Sequence, residues 1–202
     1  MKGIYFTQSK IEQETNETYV CSKFLGSPVF PQDFLLNKNG ECILSESDYF
    51  IMQLNLEDIS NIETPLPKKG MLNFFVNVDT LKPRVLYAKS IDDGQLEVWD
   101  DINDCFSEEY GETQGYKLIF DENLDEGHYI VGDVNPDIDL ETDTDIDGYV
   151  TLLEIDFLSL PTDNMLRFGE MGISDGRYIF LIKEDDLKKL KFSKVKFIDK
   201  ED

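Results

Sequence analysis

The sequence has few of the residues that build covalent or metal-bound frameworks: three cysteines and one histidine in 202 residues. Cys21, Cys42 and Cys105 are odd in number and widely spaced, which is unlike a disulfide framework or a zinc site and indicates reduced thiols. No run approaches the roughly 18 to 20 uninterrupted apolar residues that a membrane-spanning helix needs. The first residues also lack the apolar core and cleavage site of a secretory signal. These absences predict a cytoplasmic protein that does not enter a membrane.

Motifs that carry catalysis are missing as well. The sequence contains no Gly-x-Ser-x-Gly elbow, no P-loop and no Gly-x-Gly-x-x-Gly fingerprint. His128 opens a predicted strand with Asp133 nearby, and a single histidine in that place is more often a structural hydrogen-bonding residue than a catalytic base. The sequence therefore assigns no catalytic residue. It favours a non-enzymatic protein over an enzyme of unknown reaction.

Positive charge is scarce through the middle of the chain. The net charge is −23, and twenty Asp and Glu stand against Lys117 alone between residues 100 and 166. That stretch carries −19, which leaves about −4 for the other 135 residues. Phosphate binding needs clustered Lys and Arg, so the pattern excludes nucleic acid as a partner.

A localised negative field suits a basic protein partner or divalent cations. Asp137, Asp139 and Glu141 are the residues predicted to contact a basic partner. The sequence therefore predicts an interaction protein, immunity- or inhibitor-like, with an acidic binding surface. The alternative is a solvated acidic face that only maintains solubility.

Apolar patterning predicts a strand-rich fold. Apolar residues make up 41% of the chain, enough to bury a sizeable core. Alternating or continuous apolar runs predict strands over residues 49–56, 71–78, 85–88, 95–99, 116–120, 150–157, 177–183 and 195–198. Good helix formers predict one helix over 184–191. The predicted class is α+β, a strand-rich single domain with few short helices.

Two stretches of the chain share one order of short motifs. In the first they are Phe24 to Pro31, Ile51 to Leu56, Leu66-Pro67 and Gly70 to Leu81. In the second they are Ile130 to Pro136, Leu152 to Phe157, Leu160-Pro161 and Gly176 to Leu187. A repeat of about 100 residues is too long for a solenoid. The sequence therefore predicts one domain over residues 1–202, with pseudo-repeated halves at about 20–99 and 127–198 and an acidic connection at 100–126.

Three phrases resemble the YwqG-like family of uncharacterised bacterial proteins. They read Ser22-Lys-Phe-Leu-Gly-Ser-Pro28, Met52-Gln-Leu-Asn-Leu56 and Leu66-Pro-Lys-Lys-Gly-Met-Leu-Asn-Phe-Phe75. The later half resembles the family at Gly169-Glu-Met-Gly172, Tyr178-Ile-Phe180 and Asp186 to Val195, so the likeness covers roughly residues 22–198. Leu25 stands where the family has a glycine, and Glu170 replaces the family's aspartate. The resemblance implies a cytoplasmic α+β domain with no established activity, some of whose members are thought to lie near toxin–immunity loci.

Residues 143–154 match the twelve-residue calcium loop, which places Asp at positions 1, 3 and 5, Gly at 6 and Glu at 12. The predicted ligands are Asp143, Asp145, Asp147, Tyr149, Thr151 and Glu154. An EF-hand needs a helix on each side, whereas a predicted strand follows this loop. The repeat also aligns Glu154 with Gln53, a polar strand position. A calcium- or small-ligand-binding domain is therefore the alternative function, with Ca²⁺ as the one cofactor suggested.

Overall fold

A computed structural model of the chain describes residues 2–91, 96–99, 115–121, 123–124, 127–134, 146–156 and 176–200. The chain divides into two compact units. The first unit is Gln8–Ile119, and the second unit combines Met1–Thr7 with Phe120–Asp202. The start of the chain thus belongs with its C-terminal part.

The first unit contains an antiparallel sheet in the order β8-β2-β4-β5-β6. Its strands are β2 (Lys23–Phe24), β4 (Asp48–Asn55), β5 (Met71–Asn77), β6 (Lys82–Ala88) and β8 (Tyr116–Phe120). A separate pair joins β3 (Val29–Pro31) to β7 (Leu96–Val98). Every residue of β4 is buried, which explains why it reads as an almost continuous apolar run rather than as an alternating one.

Two apolar clusters attach the β3–β7 side of the first unit to its sheet. Phe30 and Leu35 pack with Phe50 and Phe75 of the sheet. Val29 packs with Met71 and Ala88 in the second cluster. A short helix, α1 (Asn16–Val20), begins with a capping box in which the Thr15 and Thr18 side chains bond each other's backbone N–H groups. One sheet face of the first unit is therefore covered by residues that precede β4.

The second unit contains an antiparallel sheet in the order β1-β9-β10-β11-β12. Its strands are β1 (Ile4–Lys10, of which residues 4–7 belong to this unit), β9 (Tyr129–Gly132), β10 (Tyr149–Asp156), β11 (Arg177–Lys183) and β12 (Lys196–Lys200). After β11 come a helix, α2 (Glu184–Leu187), and a 3₁₀ helix (Phe192–Lys194). Ile179 and Leu181 form an apolar cluster on one face of β11. On its other face, Tyr178 and Phe180 contact Phe197 edge-on.

Each of the two sheets has a register shift at the corresponding place in its central strand pair. The pairing of β4 with β5 shifts between Phe50 and Met52, and that of β10 with β11 shifts between Thr151 and Leu153, each 101 residues later. On the other side, Gln53 pairs with Lys23 and Glu154 pairs with Tyr129. Lys23 and Tyr129 therefore stand at matched positions, as do Gln53 and Glu154. Descent of both units from one duplicated sequence, within a single domain, stays a prediction.

The corner after β2 resembles the corner within β9. Leu25 and Val131 both have a positive φ, 56° and 46°, and each is followed by a glycine. A Cβ added to Gly26 would meet the Gly115 Cα at 2.9 Å, and one added to Gly132 would meet the Gly3 Cα at 3.0 Å. Only glycine allows two backbone segments to approach this closely.

The predicted α+β class is wrong, because the described residues are essentially all-β. The helices α1 and α2 have only five and four residues. All of the described elements with more than five residues are strands. The helix predicted over 184–191 ends at Leu187, and Leu190 then adopts a positive φ of 54° that a right-handed helix does not allow. No helix in the described part of the chain has the length and apolar character needed to cross a membrane.

Candidate functional site

Polar side chains cross the buried face of the first sheet in one row. Lys23 pairs with Gln53, which pairs in turn with Asn73. Residues directly opposite each other in an antiparallel sheet project from the same face, so the three side chains are neighbours. All three residues are 0% exposed. We call these three residues the polar row.

Lys23 is bound by the segment that covers the sheet. Its Nζ donates to the Glu14 Oε1 and to the Thr18 carbonyl, both at 3.3 Å, and lies 5.3 Å from the centre of the Tyr19 ring. Burial lowers the pKa of Lys23 because an ammonium loses its hydration, while the Glu14 carboxylate opposes that effect. Glu14 also accepts from the Ser27 N–H at 3.2 Å. The pair therefore fixes the loop before β3 as well as the lysine.

Gln53 holds the same covering segment through its side-chain amide. Its Oε1 accepts from the Val29 N–H at 2.8 Å, and its Nε2 donates to the carbonyls of Tyr19 and Cys21 at 2.8 and 2.9 Å. Both amide hydrogens are thus used, and the backbone of 19–29 is tied to β4. Burial raises the pKa of the neighbouring Cys21 thiol, which disfavours a reactive thiolate.

Asn73 differs from the rest of the row. Neither its Oδ1 nor its Nδ2 has a hydrogen-bond partner among the described residues, although the side chain is fully buried. Its neighbours on the same face of β5 are Met71 and Phe75, which belong to the two apolar clusters. A primary amide therefore sits between two apolar residues of its own strand, with Gln53 as its polar cross-strand neighbour, a costly arrangement unless a partner is present.

The second unit has a polar cluster on the matching strands, formed by Tyr129, Thr151, Glu154 and Arg177 and named here the Glu154 cluster. Glu154 is 2% exposed, and its Oε1 accepts from the Arg177 Nη1 at 3.1 Å. The Tyr129 hydroxyl lies 3.2 Å from the Thr151 Oγ1. Burial raises the pKa of both Glu154 and Tyr129, since each loses the hydration of its anion. The cluster is therefore built to hold a buried carboxyl group.

His128 is a buried, hydrogen-bonded residue of the second unit. It is 3% exposed, its Nδ1 accepts from the Asp156 N–H at 3.1 Å, and its ring stacks on Phe6 with centres 5.4 Å apart. The matched position in the first unit is Ser22, whose Oγ accepts from the Asn55 N–H at 2.9 Å. Different side chains thus serve the same end of the central strand in each unit.

The structure distributes the predicted calcium ligands over different surroundings. Asp143 and Asp145 lie outside the described residues, and Asp147 is exposed on the turn before β10. The Tyr149 ring lies 5.3 Å from the Lys183 Nζ and 4.6 Å from the Lys196 Nζ. The remaining two, Thr151 and Glu154, belong to the Glu154 cluster.

An extended strand separates positions 7 and 12 of the proposed loop, Tyr149 and Glu154. Tyr149 and Glu154 are five residues apart on β10, which corresponds to roughly 16 Å at about 3.3 Å per residue. Calcium–oxygen distances are about 2.3–2.6 Å, so one ion cannot contact both the Tyr149 carbonyl and the Glu154 carboxylate on this strand. Within the described ranges, no group of three or more His, Cys, Asp and Glu is arranged to hold a metal. Calcium binding by 143–154 stays a prediction.

The predicted contacts for a basic partner, Asp137, Asp139 and Glu141, all lie outside the described residues. Sequence reasoning did not identify the polar row or the Arg177 partner of Glu154. The signal for the row is weak because its members come from three separate strands. Only the alignment of Gln53 with Glu154 indicated that both positions have a reason to be polar.

A family model described as Domain of unknown function (DUF1963) covers residues 22–199. No curated protein matches the chain in sequence.

Proposed function

The chain belongs to the family described as Domain of unknown function (DUF1963), and on that premise we propose that it is an immunity- or inhibitor-like binding protein. Its acidic region engages a basic protein partner. The observation that carries this proposal is the net charge of −19 on residues 100–166, out of −23 for the whole chain. A field concentrated in one region steers a cationic partner and speeds association.

The use of the buried charges supports a binding role. Lys23 bonds Glu14 and a carbonyl, Arg177 bonds Glu154, and His128 accepts a backbone N–H. These groups hold the fold together, so recognition falls to the surface charge. The opposite sign is concentrated elsewhere, since residues 183–200 carry seven lysines against four acidic residues.

The proposal includes a cytoplasmic location. Cys21 is buried and free, and Cys42 is exposed and free. An exposed free thiol is typical of a reducing compartment. Localisation of the tagged protein in fractionated cells tests this part independently of partner binding.

Capture at low salt tests the partner. The wild-type protein is immobilised, bound proteins are eluted with a salt gradient and identified, and the affinity of each is then measured at several salt concentrations. We expect a basic protein whose affinity falls steeply as salt rises, because screening shortens the reach of the acidic field.

Matched variants decide whether the acidic region is responsible. D137N, D139N and E141Q together raise the net charge by three, and so do E12Q, E57Q and E63Q, three exposed positions outside the acidic region. The first triple variant should weaken binding by about tenfold or more, roughly the effect of 1.4 kcal/mol, and the second should change it little. Equal affinities for both triple variants would overturn the proposed surface.

A further inference from the structure

The polar row ends at Asn73, an amide whose side chain has no partner among the described residues. Asn73 lies in β5, which is hydrogen-bonded to β4 on one side and to β6 on the other. The matched position on β11, opposite Glu154, is Ile179. An apolar residue therefore suffices there, and the asparagine of the first unit needs its own reason.

Both ends of that amide require a partner. Asn73 is 0% exposed, and its Oδ1 and Nδ2 have no partner in the described part of the chain. Buried side-chain polar atoms in folded proteins are bonded to protein or to ordered water in the large majority of cases. Leaving such a group unbonded costs about 1–3 kcal/mol. The ligand must accept from an N–H and donate to a carbonyl oxygen.

The Gln53 Oε1 is a second acceptor beside the Asn73 amide. Gln53 is the direct cross-strand partner of Asn73, and opposite side chains in such a pair lie within about 4.5–5.5 Å at their Cβ atoms. The Gln53 Oε1 accepts one bond, from the Val29 N–H, whereas a carbonyl oxygen has two lone pairs. One acceptor position therefore remains next to the Asn73 amide.

We infer that Asn73 and Gln53 together bind one ordered internal water molecule. The water accepts from the Asn73 Nδ2–H and donates to the Asn73 Oδ1 and the Gln53 Oε1. A buried water molecule usually makes about three hydrogen bonds, and it needs two to four polar partners to be held in place. This inference does not depend on the proposed acidic surface.

Magnetic relaxation dispersion of the water nuclei tests the inference, because it counts long-lived internal waters. The N73I variant introduces the residue found at the matched position 179, and N73L is a second choice if N73I does not fold. We expect each to hold one fewer long-lived water than the wild type. N39A, at an exposed asparagine, is the control and should leave the count unchanged.

A crystal structure of the wild type at high resolution locates the water directly. We expect density within about 3.2 Å of Nδ2 and Oδ1 of Asn73 and of the Gln53 Oε1. A protein group bonded to the Asn73 amide in place of water would overturn the inference. An unchanged water count in both N73I and N73L would also overturn it.

Discussion

Equivalent strand positions in the two units carry different polar side chains, with the buried cation in one unit and the buried carboxyl group in the other. Lys23 and Gln53 in the first unit stand where Tyr129 and Glu154 stand in the second. Lys23 and Glu154 each have one oppositely charged neighbour among the described residues, Glu14 for Lys23 and Arg177 for Glu154. A buried charge with one partner is costly to leave alone, so each pair is expected to behave as a unit.

Replacing Glu154 by glutamine should change how stability depends on pH. The pKa of Glu154 is raised in the folded state from its ordinary value of 4.5, mainly by burial. As pH rises above 4.5, the Glu154 carboxyl loses its proton in the unfolded chain before it does so in the folded protein. The unfolded state then binds fewer protons, so the free energy of unfolding falls as pH rises from 4.5 through the raised pKa of the folded state. The E154Q variant has no carboxyl group here and does not show this fall.

Urea unfolding of both proteins between about pH 4 and pH 8 measures the difference. The stability of the wild type relative to E154Q should decrease with pH, and other titrating groups cancel in the comparison. An increase with pH would mean that the Arg177 ion pair outweighs the burial of the carboxylate.

Removing the Lys23 charge should destabilise the first unit. K23M deletes the bonds to Glu14 and to the Thr18 carbonyl, and we expect a loss of about 1–3 kcal/mol by chemical denaturation. E14Q should cost less in the K23M background than in the wild type, because the carboxylate no longer has a cation to bind. Additivity within about 0.5 kcal/mol would show that the pair is not coupled.

At the scale of elements, the corners that follow β2 and end β9 depend on close backbone contact. G26A places a methyl group 2.7 Å from the Glu14 Oε1 and 2.9 Å from the Gly115 Cα, at a φ of +75°. Gly40 has a similar φ of +79° with nothing within 4 Å of an added Cβ. Comparison of G26A with G40A therefore separates the steric contacts at Gly26 from conformational strain.

We expect G26A to lower the free energy of unfolding by at least about 1 kcal/mol more than G40A does, since both substitutions share the strain of a positive φ. Thermal or urea unfolding measures both. Similar losses in the two variants would show that the Glu14 side chain and the backbone at Gly115 both move away without cost.

Strand geometry also makes a prediction about calcium. Glu154 faces Arg177 on an extended strand, so we expect E154Q to leave any calcium binding by residues 143–147 unchanged. Isothermal titration of the metal-free wild type and of E154Q measures the heat, with D145A as the comparison at the start of the loop. A loss of calcium affinity in E154Q alone would show that β10 rearranges around the ion.

Apolar patterning predicted β4, β5, β10 and β11 well, β6 only from residue 85 onward, β1 not at all, and the polar contacts poorly. The strands over 116–120 and 177–183 were predicted with their observed limits, and β4 and β5 to within one residue. β2 has only two residues, one of them a buried lysine, so no run of apolar residues marks it. The contact of Glu14 with Lys23 crosses a loop, and that of Arg177 with Glu154 depends on strand register. Neither can be read from composition or local periodicity.

For the whole molecule, uneven charge is the property with the widest effect. Residues 100–166 carry −19, and like charges at this density repel one another and disfavour a compact state. Exposed charges are screened over about 10 Å at 0.1 M salt. Added salt should therefore stabilise this protein more than it stabilises a chain of balanced charge.

The same two triple variants measure the effect. The thermal midpoint of the wild type should rise with sodium chloride, and D137N with D139N and E141Q should reduce that rise more than E12Q with E57Q and E63Q do. Both variants carry the same net charge, so the comparison isolates the density of the acidic region. Equal salt responses would attribute the effect to net charge alone.

The grouping of Met1–Thr7 with Phe120–Asp202 has a consequence for biosynthesis. Ile4 and Tyr5 pair with Ile130 and Tyr129, so these pairs can form only after more than 120 further residues have been translated. Contacts this distant in sequence slow folding, whereas all of Gln8–Ile119 is translated before Tyr129 is reached. The nascent chain therefore carries β1 before its partner β9 exists, and substitutions that weaken the pairing of Ile4 or Tyr5 would affect the unit that is completed later.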